Sequence, residues 1–202
     1  MITVAEFCVN GSPYVLPNFK PHSLDELHWR FPSYTLGEGA ATVVLTPSDR
    51  DWEFRIRTDV SLAPACVVAL PHGPEYAPQI LQSREQTELF RSFGQPMHAA
   101  AVKVSAELWQ EMLKSAPNSV IHAPILFPHA PSRKLCEDFS NNTGYPIEQV
   151  FQLFTEYGNI GSASVPMGVY LARREGRIRR GDTALCMVGG AGMSFMLYDF
   201  VF

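Results

Sequence analysis

Closely spaced cysteines are missing from this sequence. Its four cysteines, Cys8, Cys66, Cys136 and Cys186, are scattered, with no Cys-x-x-Cys and no cysteine–histidine pair at zinc-ligand spacing. The pattern offers no disulfide framework and no metal site, and it fits reduced thiols in a cytoplasmic protein. Long apolar runs are missing too. ACVVAL at 65–70 is among the longest, far short of the roughly 20 residues that a membrane-spanning helix needs. The N-terminal MITVAEFCVNG has no basic leader region and no cleavage pattern, so it reads as a strand rather than a signal peptide. Charge is sparse. Charged residues are 18% and the net charge is −4, which gives neither nucleic acid nor an anionic membrane an electrostatic reason to bind. No internal repeat is found.

What is present suffices for a core. Hydrophobic residues make up 46% of 202 positions, enough for one domain with an embellished first third. Residues 2–9 read as a strand. The proline-rich stretch 11–33 reads as an irregular connection with a helical turn at SLDELHWR. AATVVLT at 40–46 is a second apolar run. In WEFRIRT, Trp52, Phe54 and Ile56 alternate with Glu53, Arg55 and Arg57, which predicts a half-buried strand. Residues 40–58 are therefore expected to form a hairpin, and 61–82 a loop or lid.

A helix is predicted over 97–114, with Val102, Trp109, Met112 and Leu113 on its apolar face. SVIHAPILFPH at 119–129 predicts a strand ending at a histidine, and 132–142 a short helix. Ser164 can cap a further helix that Gly176 ends. Residues 184–202 read as two strands joined through a glycine-rich bend. The order implies an α/β fold, a layered mixed β-sheet with packed helices.

PHAPS at 128–132, YGNIGSASVPMG at 157–168, REGRIRRGD at 174–182 and GGAGMSF at 189–195 follow one another in order. Together with LGEGAATVVL at 36–45 and MHAAAVKVSAELWQEML at 97–113, they resemble the C-terminal half of the β-ketoacyl-acyl carrier protein synthase III family, of the thiolase fold. The resemblance implies a residual N-terminal strand and connection over 1–35 and a thiolase-like C-terminal ketosynthase domain over 36–202. It makes His129 and Asn159 the pair that binds a thioester carbonyl. It gives backbone amides around Gly190 and Ala191 part of an oxyanion hole, and places Ser132, Arg133 and Lys134 near the substrate arm. It implies no metal and no cofactor, with acyl-CoA or phosphopantetheine-linked thioesters as substrates and an acyl carrier protein or CoA thioester as partner.

Three departures stand out. The family's His-Gln-Ala-Asn tetrad is His129-Ala130-Pro131-Ser132 here, and its Phe-Gly-Asp-Gly aspartate is Glu38. The family's nucleophilic cysteine lies in the N-terminal half, and Cys8 in EFCVNGSPY lacks its context. The expected function is therefore a subunit or split half of a condensing enzyme, with the cysteine on a thiolase-like partner chain. Two alternatives stand beside it. One is an acyltransferase using an alcohol or amine, with His129 as base. The other is a silent structural subunit of a ketosynthase heteromer. The cysteines read as buried structural thiols, Cys136 being the one nearest His129 in sequence. Arg173, Arg174, Arg177, Arg179 and Arg180 read as a solvated helix end.

Overall fold

The computed structural model describes residues 1–6, 20–67 and 91–202. In chain order the strands are β1 (Ile2–Glu6), β2 (Gly39–Val43), β3 (Phe54–Thr58), β4 (Cys66–Val67), β5 (Arg91–Ser92), β6 (Ile125–Pro128), β7 (Thr183–Gly190) and β8 (Ser194–Val201). The helices are α1 (Leu24–Tyr34), α2 (Gly94–Ser115), α3 (Pro117–Ile121), α4 (Arg133–Thr143), α5 (Phe154–Tyr157) and α6 (Ser164–Arg174). The main sheet has the order β3-β8-β7-β6, with β6 parallel to β7 and the other pairs antiparallel. It is the mixed sheet with packed helices that the sequence implies.

β7 sits inside this sheet, and Ala184, Leu185, Cys186 and Met187 are all buried, the unbroken apolar run of a strand covered on both faces. On one face, α2 presents Ala101, Ser105, Leu108, Trp109 and Met112, at the three-and-four spacing that lines one side of a helix. Trp109 meets Phe139 of α4 and Tyr145 edge-on, at ring separations of 5.6 and 5.4 Å. On the other face, α6 lays Ala172 over Ile125, Phe127, Ala184 and Cys186.

The expected hairpin over 40–58 is not formed. β2 pairs with β1, from Ile2↔Val43 to Glu6↔Gly39, and β3 pairs with β8. Both are apolar strands separated by a turn signal, but each finds a better partner elsewhere in the chain. The alternating face of β3 is also turned over. Arg55 and Arg57 face α2, where Arg57 reaches Glu107 Oε2 at 2.6 Å and also pairs with Glu111, while Arg55 donates to Ser115. Trp52, Phe54 and Ile56 lie outward, 48%, 55% and 57% exposed, with Trp52 stacked on Tyr198. This face of β3 finds polar partners on α2, two glutamates for Arg57 and the Ser115 hydroxyl for Arg55.

Three further expectations shift. The strand expected over 119–129 is shorter, because Pro117 starts α3 and only Ile125–Pro128 is extended. The helical turn at 23–30 is a full helix, capped by Ser23 Oγ accepting from Glu26 N at 3.1 Å. Val60–Ala65 is a 3₁₀ helix, and most of the expected lid lies outside the described residues, as does the end of the strand expected over 2–9. The helices predicted at 97–114 and 132–142 and the final strand pair stand where the sequence puts them. Among the described residues no helix is long and apolar enough to cross a membrane.

Asp199 is completely buried in β8. Its carboxylate accepts from Glu53 N at 3.0 Å and pairs with Arg50, which also donates to Thr183 Oγ1 at 3.0 Å. These bonds tie the entry of β3 to β8 and satisfy a charge that burial alone would make costly. Phe139→Ala removes the centre of the aromatic cluster and is expected to cost about 3–5 kcal/mol in urea unfolding. Arg133→Ala removes only an exposed pair with Glu137 and should change stability by less than about 0.5 kcal/mol.

Candidate active site

β6 ends at Pro128, and the next residue is His129. The backbone N–H of His129 donates to Met187 O at 2.7 Å, extending the parallel register of β6 on β7 by one residue. This fixes His129 at the C-terminal end of the parallel pair. The turn of the β7–β8 hairpin lies beyond the same end, since β7 continues past Met187 to Gly190. Gly190 and Ala191 are exposed there. Gly190 has open space where a side chain would stand, so its amide can be approached closely.

Asn159 arrives by a different route. Its N–H donates to Thr35 O at 2.8 Å, and its carbonyl accepts from Gly37 N at 2.9 Å. The approach is so close that a Cβ on Gly37 would stand 1.8 Å from Tyr157 O, and one on Gly158, at φ +71°, 2.7 Å from Thr35 O. The glycines of LGEG and YGNIG are thus the means by which two backbones meet and carry Asn159 into place. The Asn159 Oδ1 accepts from Gly161 N at 3.1 Å. Its Nδ2 group is left as a donor with no protein partner in this turn.

One hydroxyl joins the two residues. The His129 Nδ1 lies 3.1 Å from Ser164 Oγ, and Ser164 Oγ donates to Gly161 O at 2.8 Å. A serine carries a single hydroxyl hydrogen. With that hydrogen on Gly161 O, the oxygen accepts from Nδ1–H, and in the neutral ring Nε2 is the accepting nitrogen. Burial holds the His129 imidazole below its ordinary pKa, so the neutral ring is favoured, while the Glu6 carboxylate acts in the opposite direction. Ser164 was expected to cap α6. It is instead the first residue of that helix, and no side chain caps the N-terminus.

A small recess beside His129 is lined by Pro128, Ala130, Cys136, Leu153, Phe154 and Ser164. Cys136 is buried, and burial pushes its thiol up to about 12; the same holds for Cys186. Neither carries thiolate near neutral pH, so neither is a nucleophile here. Burial also raises the half-buried Cys66. Cys8 lies outside the described residues.

Ser132, Arg133 and Lys134 are occupied by their own helix. Ser132 Oγ caps α4 by accepting from Leu135 N at 3.2 Å. Arg133 pairs with Glu137 and Lys134 with Asp138, each at 2.8 Å, and Asp138 also meets His98 Nε2 at 2.7 Å. Arg133 and Lys134 remain largely exposed. In the arginine cluster, Arg173 lies over Phe202 and Arg174 over Tyr170. Arg177 lies over Phe151 at 5.0 Å and donates to Glu148 O.

The sequence reading passed over Ser164 as a site residue and Glu6 altogether. Ser164 could have been found, since it lies in the same GNIGSASVP segment as Asn159. Glu6 had no local signal. Cys136 and Cys186 are expected to resist iodoacetamide at about pH 7.5 in the folded chain and to react once urea unfolds it, as read by mass spectrometry of the labelled peptides.

Residues 119–197 match the family model described as 3-oxoacyl-[acyl-carrier-protein] synthase III C terminal. The chain is 25% identical over 159 residues to β-ketoacyl-[acyl-carrier-protein] synthase III of Aquifex aeolicus, covering 79% of this chain and 47% of that protein. The synthase III of a Roseiflexus species is 29% identical over 170 residues, with 79% and 49% covered. The chain thus spans about half the length of the curated relatives it matches. Among solved structures, the Aquifex aeolicus synthase superposes with a TM-score of 0.63 at 21% identity, over 78% of this chain and 47% of that one. Xanthomonas campestris OleA, crystallised with lauric acid and lauroyl-CoA, superposes with a TM-score of 0.80 at 19% identity, over 99% and 57%. Over residues 119–197 the sequence is thus similar to the C-terminal part of synthase III enzymes, and the chain shares the thiolase-like α/β fold of these structures.

Proposed function

We propose that this chain supplies the thioester-activating half of a condensing enzyme, and that a thiolase-like partner chain brings the nucleophilic cysteine. The observation that carries the reading is the bonded run His129–Ser164–Gly161–Asn159. It leaves the Asn159 amide as a donor and His129 Nε2 as an acceptor. Carbon–carbon bond formation between two thioesters needs an acyl group on a thiolate, an enolate of the second thioester, and donors for the oxygen of that enolate. In this reading Asn159 Nδ2–H holds the enolate oxygen. The backbone amides at Gly190 and Ala191 hold the oxyanion of the attacked acyl group. Acyl-CoA or acyl carrier protein thioesters are the substrates.

Binding a thioester carbonyl, the role that the resemblance implies for His129, would need a donor at Nε2. The Ser164 bond supports the other sense, in which neutral Nε2 receives a proton. The enolate electron pair then comes from the α-carbon–hydrogen bond of the second thioester, whose proton passes to Nε2. Loss of carbon dioxide from a malonyl thioester needs no such base, and its enolate is served by Asn159. The same base supports the second reading, acyl transfer to an alcohol or amine whose proton goes to Nε2.

The outward apolar residues Trp52, Phe54 and Ile56 support a partner, since an apolar patch of this kind is a common contact surface.

The test is reconstitution with the thiolase-like chain that co-purifies from the native host. His129→Ala should abolish product while leaving acyl loading on the partner cysteine intact, as read by intact-protein mass spectrometry. Asn159→Ala should lower turnover by about 10²–10³. Deuterium from D₂O entering the α-carbon of an acyl thioester would mark proton transfer to His129. Ester or amide product without carbon–carbon bond formation would replace condensation by acyl transfer. A partner that turns over equally well without this chain would overturn both.

A further inference from the structure

We propose that Glu6 is a positioning residue of this site, its carboxylate reaching from the end of β1 to hold the Gly161–Ser162 turn that joins Asn159 to Ser164. The inference deepens the reading of His129 and Asn159 as a thioester site and rests on it.

The contact is specific. Glu6 Oε1 accepts from Ser162 N at 2.9 Å and from Ser162 Oγ at 2.6 Å. A Cβ on Gly161 would stand 2.5 Å from the Glu6 Cδ, and Gly161 has φ +51°. Only glycine lets the carboxylate come this close while the turn keeps that backbone conformation. The turn it grips has Asn159 at one end and Ser164 at the other, and its centre supplies both backbone groups those side chains use. Gly161 N donates to Asn159 Oδ1, and Gly161 O accepts from Ser164 Oγ. Holding Gly161 and Ser162 therefore holds the Asn159 amide and the hydroxyl that orients His129 together.

Glu6 also acts through its charge. Among the described residues it is the one charged group that acts on the His129 ring, and it opposes the effect of burial. The other titratable neighbour in the recess, Cys136 of α4, is a neutral thiol. A negative carboxylate makes Nε2 a better proton acceptor than burial alone would leave it. Its reach depends on the antiparallel pairing Glu6↔Gly39, since Gly39 in turn packs against Ala163 and Ile160 of the same turn.

The experiment separates the two contributions by NMR on the full chain. Glu6→Gln keeps an oxygen for Ser162 but removes the charge. The His129 titration midpoint should fall, while the Ser162 amide stays protected from hydrogen exchange. Glu6→Ala removes both, so the midpoint should fall and the Ser162 amide should exchange faster. Ser162→Ala keeps the charge and should leave the midpoint at its wild-type position. In the reconstituted enzyme, the acid limb of the pH–rate profile of Glu6→Gln should move to lower pH. An unmoved His129 midpoint in Glu6→Gln would overturn the proposal even in a fully active complex. A lowered midpoint in a chain that no partner renders active would instead overturn the thioester reading and leave the Glu6 contact standing.

Discussion

The parallel pairing of β6 with β7 is the constraint on which the site depends. Four register pairs, from Ile125↔Ala184 to Pro128↔Met187, fix where β6 ends against β7, which itself runs on to Gly190. A parallel pair needs a long crossover, and here that crossover carries α4, α5 and α6. The His129 bond to Met187 O is the last rung of the ladder. Beyond it β6 stops while β7 and β8 run on together, and the imidazole meets Ser164 at the N-terminal end of α6. If β6 slipped by one residue against β7, Phe127 and Leu126 would exchange faces and both halves of the core would be lost. The apolar register and the position of the histidine are therefore one constraint.

Two opposing effects meet at His129. Burial favours the neutral ring, and the Glu6 carboxylate makes that ring more basic than its surroundings would. Ser164 decides which nitrogen is left to accept a proton. For the Cys136 thiol burial is the largest effect, and it favours the neutral form. A thiolate needs a charge or dipole to stabilise it, and Cys136 has instead the neighbouring Glu137, which disfavours it further. Burial and the lack of a stabilising charge thus keep Cys136 in its neutral thiol form near neutral pH.

The sheet is covered unevenly. α2 and α4 close one face along with the ion pairs of Arg57. On the other face α6 protects β6 and β7, while Trp52, Phe54 and Ile56 beside it remain open to solvent. β1 and β2 form a separate two-stranded sheet that touches the Asn159 turn through Glu6 and Gly39. A pair of strands is rarely stable alone, and this one is held by its contact with the turn before α6 and with α6 itself.

Much was legible from residues alone. The apolar face of Val102, Trp109, Met112 and Leu113 marks α2, the apolar run from Ala184 marks a strand, and Gly176 follows the end of α6. The order of the PHAPS, GNIG and GGAG segments points to His129 and Asn159 before any coordinate is known. These are local signals, because periodicity, caps and turn glycines act within a few residues. The tertiary structure alone decided the rest. It paired β2 with β1 and β3 with β8, because pairing is a contest among distant strands. It turned Arg55 and Arg57 inward, because Ser115 and the two glutamates that pair with Arg57 lie fifty to sixty residues away on α2. It brought Glu6 to Ser162 across 156 positions of sequence and gave the Ser164 hydroxyl to His129 rather than to the helix end. Which groups come together, and which ring nitrogen of His129 meets Ser164, are set by long-range packing that no local pattern encodes.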